Sequence, residues 1–184
     1  MSIILLRGFS HSGKDFVGDI LCKKYGYERF AFADSLKKII VEKYQCNIEQ
    51  LHTQSGKLEV CQSDSKKRTF RQILIEEALS LRNIDCDIFA KLCCKDISQN
   101  VKDNYKIVIT DWRYPNELEV LKNHFPNYKI YPVHIKRIHQ SESPILDISE
   151  YHLSDRIGDY TIYNSIDDTI YSEVSNLINN IHSE

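Results

Sequence analysis

GFSHSGKD, residues Gly8 to Asp15, directly follows the apolar run Ile3-Ile4-Leu5-Leu6. It matches the phosphate-loop pattern G-x-x-x-x-G-K-[ST] at every place but the last, where an aspartate replaces the hydroxyl residue. Such a loop needs glycines that let backbone N–H groups curl around an anion, a lysine for the outer phosphates, and a helix N-terminus behind them. Gly8, Gly13 and Lys14 stand in that order. From Lys14 the apolar residues Phe16, Val17, Ile20 and Leu21 fall at helical spacing until Gly26, a natural stop. A strand before and a helix after separate a working loop from a chance match. The plainer alternative is a glycine turn with an exposed lysine. Asp15 alters the metal ligand more than the mechanism. A carboxylate is a hard oxygen donor suited to Mg²⁺, directly or through water, although it adds negative charge beside the phosphates.

Outward from the loop, apolar runs and periodic segments alternate. Arg29 to Ala33 reads as a second strand, with Asp34 or Ser35 capping a helix that carries Leu36, Ile39, Ile40 and Tyr44. Residues 52–68 (HTQSGKLEVCQSDSKKR) are polar and almost without periodicity, so a mobile loop is expected there. Helices follow through Phe70, Ile73, Leu74, Glu77 and Leu81, and through Ile88, Phe89, Leu92 and Ile97. Lys106 to Thr110 is the clearest central strand. Pro115 opens the next helix with Leu118 and Leu121 inward. Tyr128 to Ile135 and Tyr160 to Tyr163 complete the strands. Ile170, Val174, Leu177, Ile178 and Ile181 form a closing amphipathic helix. The alternation predicts an α/β fold, a parallel sheet with helices on both faces, in a single domain over residues 1–184.

Composition narrows the function classes. With 184 residues, 42% hydrophobic, 27% charged and a net charge of -2, the chain has no basic excess to suggest nucleic acid. Its apolar runs fall far short of the roughly 18 residues a membrane span requires, and no secretory signal is visible. A cytoplasmic protein is expected. The six cysteines include no C-x-x-C pair and read as reduced, small apolar residues. A surface apolar helix face would suggest a homodimer, and burial within one chain explains the same pattern.

In open parallel sheets ligands bind at the carboxyl ends of the strands. Asp34 follows the second expected strand and Asp111 the Lys106–Thr110 strand. An acid in that place commonly supports Mg²⁺ in phosphate-loop proteins, while Asp111 also suits a helix cap ahead of Pro115. Arg68, Arg71, Arg113 and Arg137 lie near element boundaries, where planar cations can hold phosphate and spread charge. Arg113 stands out, two residues from Asp111.

SGKD, FADSLK (32–37), TFRQIL (69–74), TDWRYPNE (110–117), and ISEYHL followed by DYTIYN (148–164) together resemble the viral and phage deoxynucleoside monophosphate kinases, a branch of the P-loop nucleoside monophosphate kinases. The matches run in family order over most of the chain, with residues 45–67 and about 120–135 weakly covered. SGKD with D-x-R-[YF]-P-N-E is the specific pair. The animal-type phosphomevalonate kinases are also similar, in SGKDFV, in a helix bearing an arginine like Arg71, and in the pattern of Ser149, Glu150, Gly158 and Asp159. The RYPNE segment favours the nucleotide kinases.

The resemblance implies phosphoryl transfer from ATP·Mg²⁺ to a small-molecule nucleotide, with roles by position. Gly8, Ser12, Gly13, Lys14, Asp15 and Phe16 would hold the ATP phosphates and metal, Asp15 and Asp111 being the metal candidates. Asp34 and Lys37 would face the acceptor, and Arg68 or Arg71 would grip its phosphate. Asp111 and Arg113 would sit beside the transferred group, Arg137 would belong to a lid, and Asn164 would lie against the adenine. Two departures stand out. Asp147 takes the place of a common histidine, and Ser165-Ile166-Asp167 replaces a stretch that often holds glycine. The acceptor oxygen is already ionised near neutral pH, so no catalytic histidine is expected. Residues 52–68 and 136–157 are the segments expected to close over the substrates. A P-loop protein that binds ATP without transferring phosphate is the other class consistent with the loop.

Overall fold

A computed structural model describes residues 1–101, 106–138, 153 and 160–183. Along the chain run β1 (Ser2–Arg7), α1 (Lys14–Tyr25), β2 (Tyr27–Phe30), α2 (Phe32–Tyr44), α3 (Ile48–His52), α4 (Gln54–Leu58), α5 (Phe70–Ile84), α6 (Ile88–Asn100), β3 (Lys106–Ile109), α7 (Pro115–His124), β4 (Lys129–Arg137), β5 (Tyr160–Asn164) and α8 (Thr169–Ser183). They form two compact units, one of Met1–Ala31 with Ile97–Glu184, the other Phe32–Asp96.

The first unit holds the sheet, ordered β2-β3-β1-β4-β5 with every pair parallel. Continuous Ile, Leu and Val runs are what a strand buried on both faces requires. Ile4, Leu6, Val108, Val133, Ile135 and Ile162 pack with Val17, Ile20 and Leu21 of α1 and with the apolar stripe of α8. Ile3, Leu5, Ile107 and Ile109, which alternate with them, are also fully buried. The stripe Ile170, Val174, Leu177, Ile178 and Ile181 is thus consumed in this core. Gly26 ends α1 in the left-handed conformation (φ 71), its N–H returning to Leu21 O. Pro132 is tolerated because β5 joins β4 only from Val133 onward, leaving a partner on one side alone.

Two expected boundaries move. The second strand is Tyr27–Phe30 and not Arg29–Ala33, because its register against β3 ends at Phe30 paired with Ile109. Phe32 and Ala33 already belong to α2, so Asp34 lies in that helix's first turn and neither it nor Ser35 is the cap. The short apolar run Phe30 to Ala33 reads alike whether it is one buried strand or a strand end followed by a buried first turn.

The second unit comprises α2 to α5 and most of α6. Here the segment expected to be a loop, residues 52–68, contains the end of α3, all of α4 and a bridge between Val60 and Thr69. Local capping builds it. Asn47 Oδ1 accepts from Glu49 N at 3.0 Å while Gln50 Oε1 accepts from Asn47 N at 3.1 Å, and Thr53 Oγ1 accepts from Gly56 N at 3.0 Å. Each such cap contributes about 1 kcal/mol. A buried ion pair supplies the rest. Asp64, only 4% exposed, accepts from Arg68 Nε at 2.9 Å, Nη2 at 2.7 Å and the Arg68 backbone N at 2.9 Å. The Arg68 guanidinium holds the Asp64 carboxyl far below the usual carboxylate range. None of these features has an apolar period, which is why the stretch reads as loop.

Cys93 and Cys94 are buried thiols, and burial pushes Cys94 up to about 11. Among the described residues no helix is long and apolar enough to cross a membrane. Of the segment 136–157, residues 139–152 and 154–157 lie outside the described residues, and with them Asp147, Ser149 and Glu150; Gly158 and Asp159 lie outside as well.

Candidate nucleotide-binding loop

Because all five strands are parallel, their carboxyl ends meet along one edge, and β1 leads into Gly8 there. Gly8 (φ 150) cannot be replaced without crowding, since a Cβ would overlap the Ile135 carbonyl oxygen and lie 2.6 Å from Ser12 Oγ. Gly13 (φ 99) starts α1 with no side-chain cap. The first-turn N–H groups of a helix have no intrahelical partner, and here no side chain of the capping residue covers them. Lys14 folds back over the loop, its Nζ donating to Gly8 O at 2.6 Å and Phe9 O at 2.8 Å. Ser12 Oγ is fully buried and, among the described residues, has no hydrogen-bond partner. His11 holds φ 61, unusual for a residue with a side chain.

Two neighbouring strand ends hold the loop. Arg137 Nη1 donates to His11 O at 2.9 Å, and Asn164 Nδ2 donates to Ser12 O at 2.9 Å. Arg137, expected in a lid, is the last residue of β4, and the rest of that segment lies largely outside the described residues. The Asn164 side chain is engaged by the loop and by Ile166 N, which donates to Asn164 Oδ1 at 3.0 Å. Ile166 itself has φ 67, so an isoleucine takes the left-handed conformation here. A left-handed backbone at a non-glycine residue costs about 1–2 kcal/mol. Asp167 anchors the start of α8, and the hydroxyls of Thr169 and then Ser165 lower its pKa.

On the other side of β1, Asp111 follows Thr110 at the end of β3 and is half-buried. Trp112 N donates to Leu6 O at 3.1 Å, tying the Asp111 turn to the strand that feeds the loop. Trp112 is 2% exposed, with its indole N–H on Tyr114 O at 2.8 Å. Glu117, 1% exposed, accepts from Arg113 N and Tyr114 N, both at 3.0 Å. Glu117 closes the TDWRYPNE stretch, yet no role for it follows from the motif alone. The signal was a glutamate in the first turn of a helix opened by proline, where a carboxylate can cap orphan N–H groups. Asp15 is exposed in the first turn of α1. Phe16, 46% exposed, packs edge-on against Tyr171 with ring centroids 6.0 Å apart.

A residue missed by sequence reading is Gly18. A Cβ there would come within 2.7 Å of Thr110 Cγ2, so glycine lets α1 approach β3. Another is Arg7, 5% exposed, whose Nη2 donates to His134 Nδ1 at 3.0 Å and Nη1 to Leu153 O at 3.1 Å. A guanidinium only donates, so Nδ1 accepts and the ring proton sits on Nε2.

The remaining candidates belong to the second unit. Lys37 Nζ donates to Asp34 Oδ1 at 3.2 Å and to His52 Nδ1 at 3.3 Å. Arg68 is engaged throughout, by Asp64, by Glu76 Oε2 at 2.6 Å and by the Tyr44 hydroxyl at 3.1 Å. Arg71 is different. It donates to Gln54 Oε1 at 2.6 Å, and its buried Nε has no partner among the described residues. Of the two arginines named for an acceptor phosphate, Arg71 keeps donor capacity and Arg68 is an internal brace. So Gly8, Ser12, Gly13, Lys14, Arg137 and Asn164 come together in one hydrogen-bonded loop, with Asp111 and Arg113 at the adjoining strand end.

This set fits a polyphosphate: tight glycine backbone, uncapped helix N-terminus, an ammonium across the loop and a buried hydroxyl without a partner among the described residues. It also offers hard oxygen donors for Mg²⁺ in Asp15 and Asp111.

No family model matches the chain, and no curated protein matches it in sequence. Solved structures do resemble it. The APS kinase of Mycobacterium tuberculosis superposes with a TM-score of 0.52 at 8% identity, over 98% of this chain and 96% of that one. The Thermus thermophilus protein TT1252 gives 0.53 at 13% identity, over 99% and 96%. Shikimate kinase from Bacteroides thetaiotaomicron is more distant, at 0.46 and 14% identity over 98% of each chain. At such identities the likeness to the first two is one of fold, and together with the five-stranded parallel sheet and its flanking helices it shows that the chain shares their α/β fold.

Proposed function

We propose that this chain is an ATP·Mg²⁺-dependent phosphotransferase that phosphorylates the phosphate group of a deoxynucleoside monophosphate, giving the diphosphate and ADP. The observation that carries the proposal is the loop beside the D-x-R turn. Lys14, the α1 N-terminus and Gly13 lie at the end of β1, and Asp111 and Arg113 at the end of the adjacent strand β3. A loop that only bound nucleotide would not call for a second cation beside it, and Arg113, its backbone N–H held by buried Glu117, supplies one at the neighbouring strand end.

In this reading the acceptor's phosphate oxygen attacks the γ-phosphorus of ATP. A P–O bond forms to the acceptor as the bond to the β-phosphate oxygen breaks, and ADP leaves with that electron pair. Little covalent chemistry falls to the protein, which positions the reactants and offsets charge. Lys14 and the loop N–H groups neutralise the donor phosphates. Arg113, its backbone held by Glu117, spreads charge on the transferred group. Bound Mg²⁺, held by Asp15 and Asp111, would neutralise further negative charge on the phosphates. The roles of Asp34, Lys37 and Arg71 toward the acceptor, and the choice of a deoxynucleotide, rest on the resemblance of their motifs.

The test is ADP release with ATP and Mg²⁺ over a panel of deoxynucleoside and ribonucleoside monophosphates plus phosphomevalonate. Turnover on a deoxynucleoside monophosphate, reduced by Lys14→Ala at least about a hundredfold, is expected. Turnover on phosphomevalonate alone moves the activity to that acceptor. Silence on every acceptor with ATP binding intact refutes the kinase assignment.

A further inference from the structure

The loop's shape is not fixed by its own sequence. His11 holds φ 61, a backbone state that costs free energy for a residue with a side chain and persists only where surroundings impose it. The constraint comes from residues Arg137 and Asn164, far along the chain. They are directly opposed partners in the parallel pair β4–β5, and Ile138 N donates to Asn164 O at 2.9 Å to close that pair. From these matched positions their side chains take two consecutive loop carbonyls, His11 O and Ser12 O, each at 2.9 Å. A trans peptide is planar, so its C=O and the following N–H point opposite ways. Drawing Ser12 O toward Asn164 turns the Gly13 N–H away from it. Holding His11 O turns the Ser12 N–H the other way, toward Phe9 O at 3.1 Å. Gly13 lies so close that any Cβ would overlap Asn164 Nδ2. The amide therefore packs on the loop backbone as well as bonding it.

We propose that Arg137 and Asn164 are positioning residues, a clamp at the ends of β4 and β5 that keeps the His11 and Ser12 carbonyls turned outward so that the loop receives a polyphosphate already shaped for it. This rests on reading the loop as a polyphosphate site. It differs from the two roles the resemblance implies, a lid cation for Arg137 and an adenine contact for Asn164. A clamp acts on the phosphates whatever group they carry. An adenine contact matters only when the base is present, and a lid cation acts on transfer.

The experiment compares ATP with inorganic tripolyphosphate, which has the phosphates and no base, by titration calorimetry on the full chain. The variants are Asn164→Ala, Asn164→Leu, which refills the space without a donor, and Arg137→Lys, which keeps the charge but not the planar donors. Loss of one such hydrogen bond corresponds to roughly tenfold. Both ligands are expected to weaken by that same factor in each variant, with faster backbone hydrogen exchange over residues 8–15 in the free protein. A loss confined to ATP overturns the clamp for Asn164. Unchanged binding of both ligands in Arg137→Lys overturns it for Arg137. If the unaltered chain binds neither ligand, the loop reading and the clamp fall together. Because no acceptor is needed, silence on every acceptor would sink the kinase assignment without touching the clamp.

Discussion

Gly18→Ala tests whether the approach of α1 to β3 is set by the missing side chain. Gly18 is buried one turn beyond Lys14, and the added Cβ would lie 2.7 Å from Thr110 Cγ2. That is about an ångström inside ordinary contact, and overpacking of this kind costs about 1–3 kcal/mol. Alanine returns about 0.5–1 kcal/mol through better helix propensity, so a net destabilisation of about 1–2 kcal/mol is expected. Thr110→Ser removes the opposing methyl and keeps the hydroxyl. Alone it should cost about 1 kcal/mol for the lost buried carbon. Together the alanine methyl fills the room the threonine methyl leaves, so the double variant should lie within about 0.5 kcal/mol of the unaltered chain. The coupling is then about 2–3 kcal/mol, well outside the spread of independent sites. Urea unfolding followed by circular dichroism measures all four corners. Additivity within about 0.5 kcal/mol would refute the reasoning. Because Thr110 directly precedes Asp111 and α1 carries the loop lysine, ATP affinity should fall in the single Gly18→Ala variant and recover in the double.

Two further outcomes separate brace from site in the second unit. Asp64→Asn should lower the unfolding midpoint at pH 7 by several degrees. Because Arg68 holds the folded pKa of Asp64 below its ordinary 3.8, the ionised carboxylate stabilises the fold above that value, and the contribution is lost as pH falls through the folded value. The gap between variant and unaltered chain should therefore hold down to about pH 4 and narrow below it; a gap independent of pH would count against the ion pair as its source. Arg71→Lys should raise the acceptor KM about tenfold or more with the melting temperature unchanged, whereas Arg68→Lys should lower the melting temperature. The reverse pattern in steady-state kinetics and thermal melts would exchange the two roles.

Much of the fold was legible because its signals are local. The strand-loop-helix start, the Lys106 strand, the Pro115 helix and the stripe of α8 each carry the period or the punctuation of their element within a dozen residues. The exceptions were just as physical. Residues 52–68 fold through caps at Asn47 and Thr53 and one buried Asp64–Arg68 pair, chemistry that leaves a polar, aperiodic string. Arg29 to Ala33 hid a strand-to-helix change inside one apolar run.

For the candidate site, sequence alone determined the residue types at the loop: glycines where backbone must pass closely, a lysine, and an acid and an arginine after a strand. Their spacing is set by covalent neighbours, and so it survives in one dimension. Tertiary structure decided which distant side chains hold that loop. Arg137 and Asn164 reach His11 and Ser12 across 126 and 152 positions of chain, and Gly18 matters because of Thr110, a residue of another element. It also divided Arg68 from Arg71, which look alike in sequence and differ in what their guanidinium groups already touch. A hydrogen bond depends on atoms a few ångströms apart, and separation along the chain says almost nothing about that distance until the sheet has brought the strand ends to one edge.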